Sequence, residues 1–401
     1  MKKSFILLLA AMAVMPSFAA VKKDKKEKKE EGYVFTTVKA LPVTSVKDQS
    51  RSGTCWAFSG LGFFEAELLR MGKGEHDLCE MFVVHKTMED RADAAVRTHG
   101  DVSYSQGGSF YDVAYCIENY GIVPQTAMPE PGSPYGEKSI NHNEVDAVAT
   151  AFVKAIAEGK QKKISPAWKK AFRGIYDAYL GECPERFIID GKEYDPKSYA
   201  QSIGLGDMSQ YVSLTSYMHR PFYKPFVLEI QDNWRWAQSY NLPLDEFMQV
   251  FDYAIQNDYP IAWGSDVSET GFTRSGIAVM PDTEGAADLT GSDRDRWLGM
   301  TPGERSSEAL SKPSPEKVIT QEMRQEAYDN WETTDDHGML IYGIAKDQTG
   351  KEYYMVKNSW GEYGKYKGMW YASKAFVAYK TMNILVNKNG VPAELRKKLG
   401  I

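Results

Sequence analysis

In Gln49-Ser50-Arg51-Ser52-Gly53-Thr54-Cys55-Trp56-Ala57-Phe58-Ser59 a turn-rich loop runs into an apolar helix, and a cysteine stands at the junction. Thr54 is placed to cap the helix. From Cys55 to Arg70, Phe58, Leu61, Phe64 and Leu68 recur at helical spacing beside Ala57 and Ala66, and Gly72 and Gly74 supply stop signals. A cysteine at a helix N-terminus meets unsatisfied N–H groups and the positive end of the macrodipole, which favour thiolate over thiol. The same N–H groups suit an oxyanion, and Gln49, six residues upstream, offers a side-chain amide as a second donor. An inert cysteine opening a core helix is the competing reading of this stretch taken alone.

A thiol nucleophile needs a base and a group that orients the base. The chain has six histidines, and one has suitable company. Thr334 to Ile344 reads as a strand, Lys346-Asp347-Gln348-Thr349-Gly350 as a loop, and Glu352 to Gly361 as a second strand. A regular antiparallel register about that loop sets His337 opposite Asn358. Met339, Ile341, Tyr354 and Val356, all apolar, then share their face. The Asn358 carbonyl oxygen can accept an imidazole N–H, fixing the tautomer and leaving the other ring nitrogen for the thiol. Trp360 is placed to shield that bond. A hairpin whose polar pair is merely satisfied in the core is the alternative.

The rest of the chain narrows the setting. With 401 residues, 43% of them hydrophobic, it can bury one or two cores without metals or disulfides. Lys+Arg 48 against Asp+Glu 54 gives a formal charge of −6 with no basic stripe, which argues against a nucleic-acid partner. Met1-Lys2-Lys3, the apolar run Phe5 to Val14 and Pro16-Ser17-Phe18-Ala19-Ala20 form a signal-peptide pattern, with cleavage expected after Ala19. That run is about half of the ~20 residues a membrane span requires, so export is expected without stable membrane insertion. Whether the product stays periplasmic or leaves the cell is open. Lys22 to Glu31, charged and without an apolar residue, reads as part of a flexible tether over 20–32. Cys55, Cys79, Cys116 and Cys183 include no CxxC pair, and His76 with Cys79 cannot close a tetrahedral site, so neither a disulfide framework nor a metal or other cofactor is expected.

Taken together, Gln49, Ser52-Gly53-Thr54-Cys55-Trp56-Ala57-Phe58, Ser105-Gln106-Gly107-Gly108-Ser109-Phe110, Asp336-His337-Gly338 and Asn358-Ser359-Trp360-Gly361 resemble, block by block and in order, the papain-like cysteine peptidases. Leu214-Thr215-Ser216-Tyr217, Val227 to Trp234, Trp263 to Ser268 and Thr333 to His337 look more narrowly like the bleomycin hydrolase/aminopeptidase C branch. The likeness covers residues 40–390. It implies an α+β, papain-like fold with a helical subdomain, a β-barrel-like subdomain and a helical insertion. The divisions are 33–140 carrying the nucleophile, 141–210 as the insertion and 211–401 carrying His and Asn. The insertion has apolar helical spacing over Val145–Ile156 and Trp168–Leu180, whereas Glu284–Pro315, rich in Gly, Ser and Pro, reads as a long loop.

By resemblance, Cys55 is the nucleophile, His337 the general base and then acid, Asn358 the orienter, and Gln49 the oxyanion donor. Gly107 and Gly108 line a cleft for an extended peptide substrate, where lack of a Cβ allows close approach. Trp360 completes the substrate-side wall. Ser52 and Ser105 stand where simple papain-like enzymes usually have cysteines, so that disulfide is not expected. The sequence ends Arg396-Lys397-Lys398-Leu399-Gly400-Ile401, without a segment resembling the branch's cleft-filling C-terminal arm, and both aminopeptidase and endopeptidase action fit. A homo-oligomer is compatible with the branch. A thiol-dependent amidase or transferase, or a catalytically silent binding module, are the other functions such a chain serves.

Overall fold

The computed structural model describes residues 32–285 and 289–401, so the leader expected at 1–19 and all but the last residue of the tether expected at 20–32 lie outside the described residues. After β1 (Phe35–Ala40), the first half is helical: α1 (Cys55–Arg70), α2 (Glu80–Arg97) and α3 (Phe110–Tyr120). Onto α2 and α3 pack α4 (Asn143–Ala157), α5 (Ala167–Leu180) and α6 (Pro196–Ile203), with the small hairpin β2 (Phe187–Ile189) and β3 (Lys192–Tyr194) between α5 and α6. Trp168, Phe172, Tyr176 and Leu180 of α5 join Phe63, Phe64, Phe82 and Val113 in one buried cluster. The helices expected within the insertion therefore exist and extend the first core.

The second half alternates strands and helices: β4 (Tyr211–Thr215), β5 (Pro225–Val227), β6 (Gln238–Asn241), α7 (Leu244–Gln256), β7 (Ile261–Ser265), β8 (Ile277–Ala278), α8 (Gly291–Leu298), α9 (Pro302–Ser311) and α10 (Gln321–Asp329). The chain closes with β9 (His337–Asp347), β10 (Glu352–Lys357), β11 (Met369–Ser373), α11 (Lys374–Lys380), β12 (Thr381–Asn387) and α12 (Ala393–Leu399). The strands form one ten-stranded mixed sheet in the order β5-β6-β4-β12-β7-β9-β10-β11-β8, with β1 added on β9. The barrel-like half is an open sheet: its end strands β5 and β8 are three and two residues long and do not pair with each other.

Strand alternation on β9 links the two layers. Leu340 joins the helical core, while Met339 and Ile341 join α7, α11 and α12 on the other side. β9 lies directly against α1. A buried ionic chain reinforces that seam: Lys357 Nζ donates to Thr44 Oγ1 (2.8 Å), which donates to Glu65 Oε2 (2.6 Å), and Glu65 Oε1 accepts from Lys47 Nζ (3.1 Å) and Leu78 N (2.9 Å).

Two expectations need correction. The β9–β10 ladder is not regular: Met355 pairs with Gly343 but Val356 with Ile341, leaving Tyr342 as an extra residue on β9. This bulge forms where Tyr342 turns its carbonyl to Leu41 N (2.8 Å), just beyond β1. The turn sets the larger difference: the ladder from Glu352–Lys346 to Met355–Gly343, continued, would put Asn358 opposite Leu340. The bulge brings it one residue nearer to His337 without making them direct partners, although Met339, Ile341, Tyr354 and Val356 do share one core. Second, the described part of 284–315 is not one long loop: residues 291–298 and 302–311 fold as α8 and α9 around buried Trp297. Thr301 and Glu304 form a capping box with Pro302 in the first turn, and Arg305 ties the carbonyls of Trp297 (2.9 Å), Leu298 (2.9 Å) and Thr283 (2.6 Å) together.

Candidate active site

Cys55 is the first residue of α1 and is partly exposed. The helix start is closed by the Thr54 carbonyl, which accepts from Ala57 N (2.9 Å) and Phe58 N (3.3 Å), while the Thr54 hydroxyl bonds to Ser52 Oγ (2.6 Å) and caps nothing. The position expected for the cap is right, but its side-chain role is not. The sulfur meets the N–H groups of Gly338 and Trp56. Gly338 is packed so closely on α1 that a Cβ there would lie 2.5 Å from Ser59 Oγ, so the adjoining His337 is held at the head of the same helix.

The His337 ring is buried, and its Nε2–H donates to Asn358 Oδ1 at 2.7 Å. Nδ1 has no hydrogen-bond partner among the described residues. The Asn358 oxygen also accepts from Ser359 N (2.8 Å). The Trp360 ring lies over His337 with centroids 4.8 Å apart at 31°, and is itself braced edge-on by Trp370 and Phe272. Although Lys357 pairs with Leu340, Asn358 stands just past the end of β10 and reaches His337 diagonally.

Gln49 is fixed at both ends of its amide. Its Oε1 accepts from Ser359 Oγ (2.6 Å) and its Nε2 donates to Ser52 O (2.8 Å), which leaves the second Nε2 hydrogen for another acceptor. Gln49 N also donates to Ser359 O (2.8 Å). Ser359, to which sequence reasoning gave no role, therefore joins the amide of Gln49 to the residue that holds His337. Its place inside the Asn358-Ser359-Trp360-Gly361 block was the available signal.

Gly107 and Gly108 flank the same spot, but their missing Cβ atoms first serve the protein. A Cβ on Gly108 would come 2.7 Å from the Trp56 indole, and one on Gly107 would come 2.1 Å from the Asp232 carboxylate. Trp56 Nε1 donates to Gln106 O (2.9 Å) and Gly53 N to Gln106 Oε1 (2.9 Å), docking this strand of backbone beside Cys55. Asp232 and Asp335 were not singled out as site residues, and nothing local in sequence marks where Asp232 lands.

Burial dominates the electrostatics. It pushes the Cys55 thiol up to about 12, against the lowering by the Gly338 and Trp56 N–H groups, and the carboxylates of Asp335 and Asp232 add to the rise. Burial takes the His337 imidazole down to about 4, against its bond to Asn358. The helix N-terminus alone, expected to make the thiolate, is thus outweighed by desolvation. Burial disfavours the charged form of each group taken alone, the thiolate of Cys55 and the imidazolium of His337. In the His337→Ala protein the thiol loses the imidazole at the head of its helix and keeps the N–H groups of Gly338 and Trp56 and both carboxylates. Its alkylation by iodoacetamide is expected to slow more than tenfold at pH 7 and to need a higher pH than in wild type, as followed by rate against pH.

Residues 3–284 and 316–400 match the Peptidase C1-like family. The chain belongs to that family. It is a cysteine-type peptidase with the papain-like α+β fold. The gap between the two matched stretches coincides with the α8–α9 segment. This C1-like peptidase is 24% identical to aminopeptidase E of Lactobacillus helveticus over 88% of its length and 83% of the relative's. It is 24% identical to aminopeptidase C of Streptococcus thermophilus over 91% and 84%, and 23% identical to aminopeptidase W of Lactobacillus delbrueckii subsp. lactis over 88% and 83%. In three dimensions it resembles the crystal structure of PepW from Lactobacillus rhamnosis HN001, with a TM-score of 0.65, 20% identity and coverage of 91% and 84%.

Proposed function

We propose that the protein is an exported cysteine aminopeptidase that hydrolyses peptides through Cys55, His337 and Asn358, its leader being removed after Ala19. His337 Nδ1 takes the Cys55 proton as the sulfur attacks the carbonyl carbon. The resulting oxyanion is met by the free Nε2–H of Gln49 and the N–H groups at the head of α1. Imidazolium His337 then gives its proton to the leaving amine, and water, deprotonated by the same ring, releases the acyl group. Asn358 fixes the ring angle throughout without adding a charge, and Trp360 keeps water from the His337–Asn358 bond. The observation that carries this reading is the 2.7 Å bond from His337 Nε2 to Asn358 Oδ1, made at the head of the helix that begins with Cys55. Relatives named as aminopeptidases over more than four fifths of the chain support the restriction to chain ends.

The test is a mixed set of peptides offered with free and with acetylated amino termini, with products sequenced by mass spectrometry. Free peptides are expected to lose residues from the amino end while acetylated ones stay intact. Equal internal cleavage of both sets would mean an endopeptidase, and acyl adducts in place of new amino termini would mean a transferase.

A further inference from the structure

The loop Leu228–Trp236 is stapled over the cleft. Inside it, Asn233 Nδ2 donates to Leu228 O (2.9 Å) and Ala237 O (2.9 Å) while Asn233 Oδ1 accepts from Ala237 N (2.8 Å). From outside, Arg235 is gripped by Asp112 (2.6 Å) on α3 and Asp90 (2.6 Å) on α2. Asp232 immediately precedes Asn233, the first of these fixed residues, and its carboxylate lies flush on the backbone of Gly107. A peptide extended along Gly108 and Gly107 away from Cys55 advances about 3.3 Å per residue and runs into this carboxylate after one or two residues.

The cation nearest to Asp232 does not saturate it. Arg91 spends Nε on Ser103 O (2.9 Å) and Nη1 on Gly107 O (2.5 Å), and forms an ion pair with Asp232 Oδ1 at 3.6 Å, too long for a hydrogen bond. The Arg91 side chain is fully buried, yet its Nη2 has no hydrogen-bond partner among the described residues, an unmet donor of the kind that is costly to leave empty. Across the cleft, just before β9, Asp335 also makes no hydrogen bond among the described residues. Burial, then the charges of Asp232 and Asp336, hold its carboxyl up at about 8. Two guanidiniums, Arg91 and Arg235, thus stand against three carboxylates, Asp232, Asp112 and Asp90, with a buried N–H still lacking an acceptor and Asp335 nearby mostly protonated at neutral pH. A ligand bearing a cation next to a carbonyl oxygen answers both deficits, and the amino-terminal residue of a peptide is such a ligand.

We infer that Asp232, seated against Gly107, binds the α-ammonium of the substrate's first residue, with Asp335 beside it, and so confines cleavage to the first or second peptide bond. The inference rests on the aminopeptidase reading and names the group that enforces it. Asp232 is a specificity-determining residue here, distinct from the groups that perform the chemistry.

The experiment compares kcat and KM on one peptide with a free and with an acetylated amino terminus, for wild type and Asp232→Asn, with folding followed by thermal unfolding. A charge-assisted hydrogen bond predicts a free-over-acetylated preference of about 10- to 150-fold in wild type. In Asp232→Asn that ratio should collapse towards one, through a higher KM on the free peptide and an undiminished rate on the acetylated one. Should Asp232→Asn fail to fold, Gly107→Ala displaces the same carboxylate without removing its charge, and its ratio should fall likewise. A wild type without preference sinks both the aminopeptidase reading and this one. A wild-type preference that persists in Asp232→Asn, or in Gly107→Ala if that is the variant that folds, overturns only the anchor.

Discussion

Peptide hydrolysis by the Cys55→Ala protein is expected to fall by about 10⁴-fold or more, because the acyl-transfer route ends without the sulfur and the remaining donors only hold the substrate. The helix start is closed by backbone bonds from Ala57 and Phe58 to the Thr54 carbonyl, which alanine keeps, so thermal unfolding should be unchanged. Activity measured by fragment release at wild-type protein concentration checks this. Unchanged cleavage would mean that another residue is the nucleophile.

The second large effect is on stability. Glu65 stands on α1 ten residues after Cys55, with its side chain almost fully buried, and receives Thr44, Lys47 and the N–H of Leu78. Glu65→Ala leaves Lys47 with Glu80 and Asp77 but strands the Leu78 N–H and the end of the Lys357–Thr44 chain that ties α1 to β10. Breaking a buried ionic network from one side costs about 3–5 kcal/mol, a large fraction of the 5–15 kcal/mol typical of a folded domain. The urea midpoint, followed by circular dichroism, should drop accordingly. Glu65→Gln, which fills the same space and retains one acceptor oxygen, for Leu78 N or for Thr44, should cost less. Equal midpoints for wild type and Glu65→Ala would show that the seam between helix and sheet is held by its apolar contacts alone.

What the sequence revealed was local. The apolar period from Phe58 to Leu68 and the turn residues around Gly53 identify α1 and put Cys55 at its head, and the period over Val145–Ile156 and Trp168–Leu180 identifies α4 and α5. The meeting of His337 with Asn358 was legible from two strands and a loop, yet by a register the structure does not use. The turn pairs Glu352 with Lys346, where the symmetric register sets Glu352 opposite Gly343, and the bulge at Tyr342, which answers to β1 some three hundred residues away, takes back one residue of that shift. At 284–315, Gly, Ser and Pro content suggested a loop, whereas the Thr301–Glu304 capping box and a tryptophan able to nucleate a small core were the better guides. Asp232 was not legible because burial and charge at the site come from chain segments that meet only in three dimensions.

The central claim is that Cys55 carries the acyl group passed to it with the help of His337. Mixing the protein with a peptide ester, quenching in acid within milliseconds and mapping the mass increase tests it most directly. The predicted result is a single thioester on Cys55 that is absent from the His337→Ala protein. An acyl group found on any other residue, or on Cys55 equally fast without His337, would contradict it.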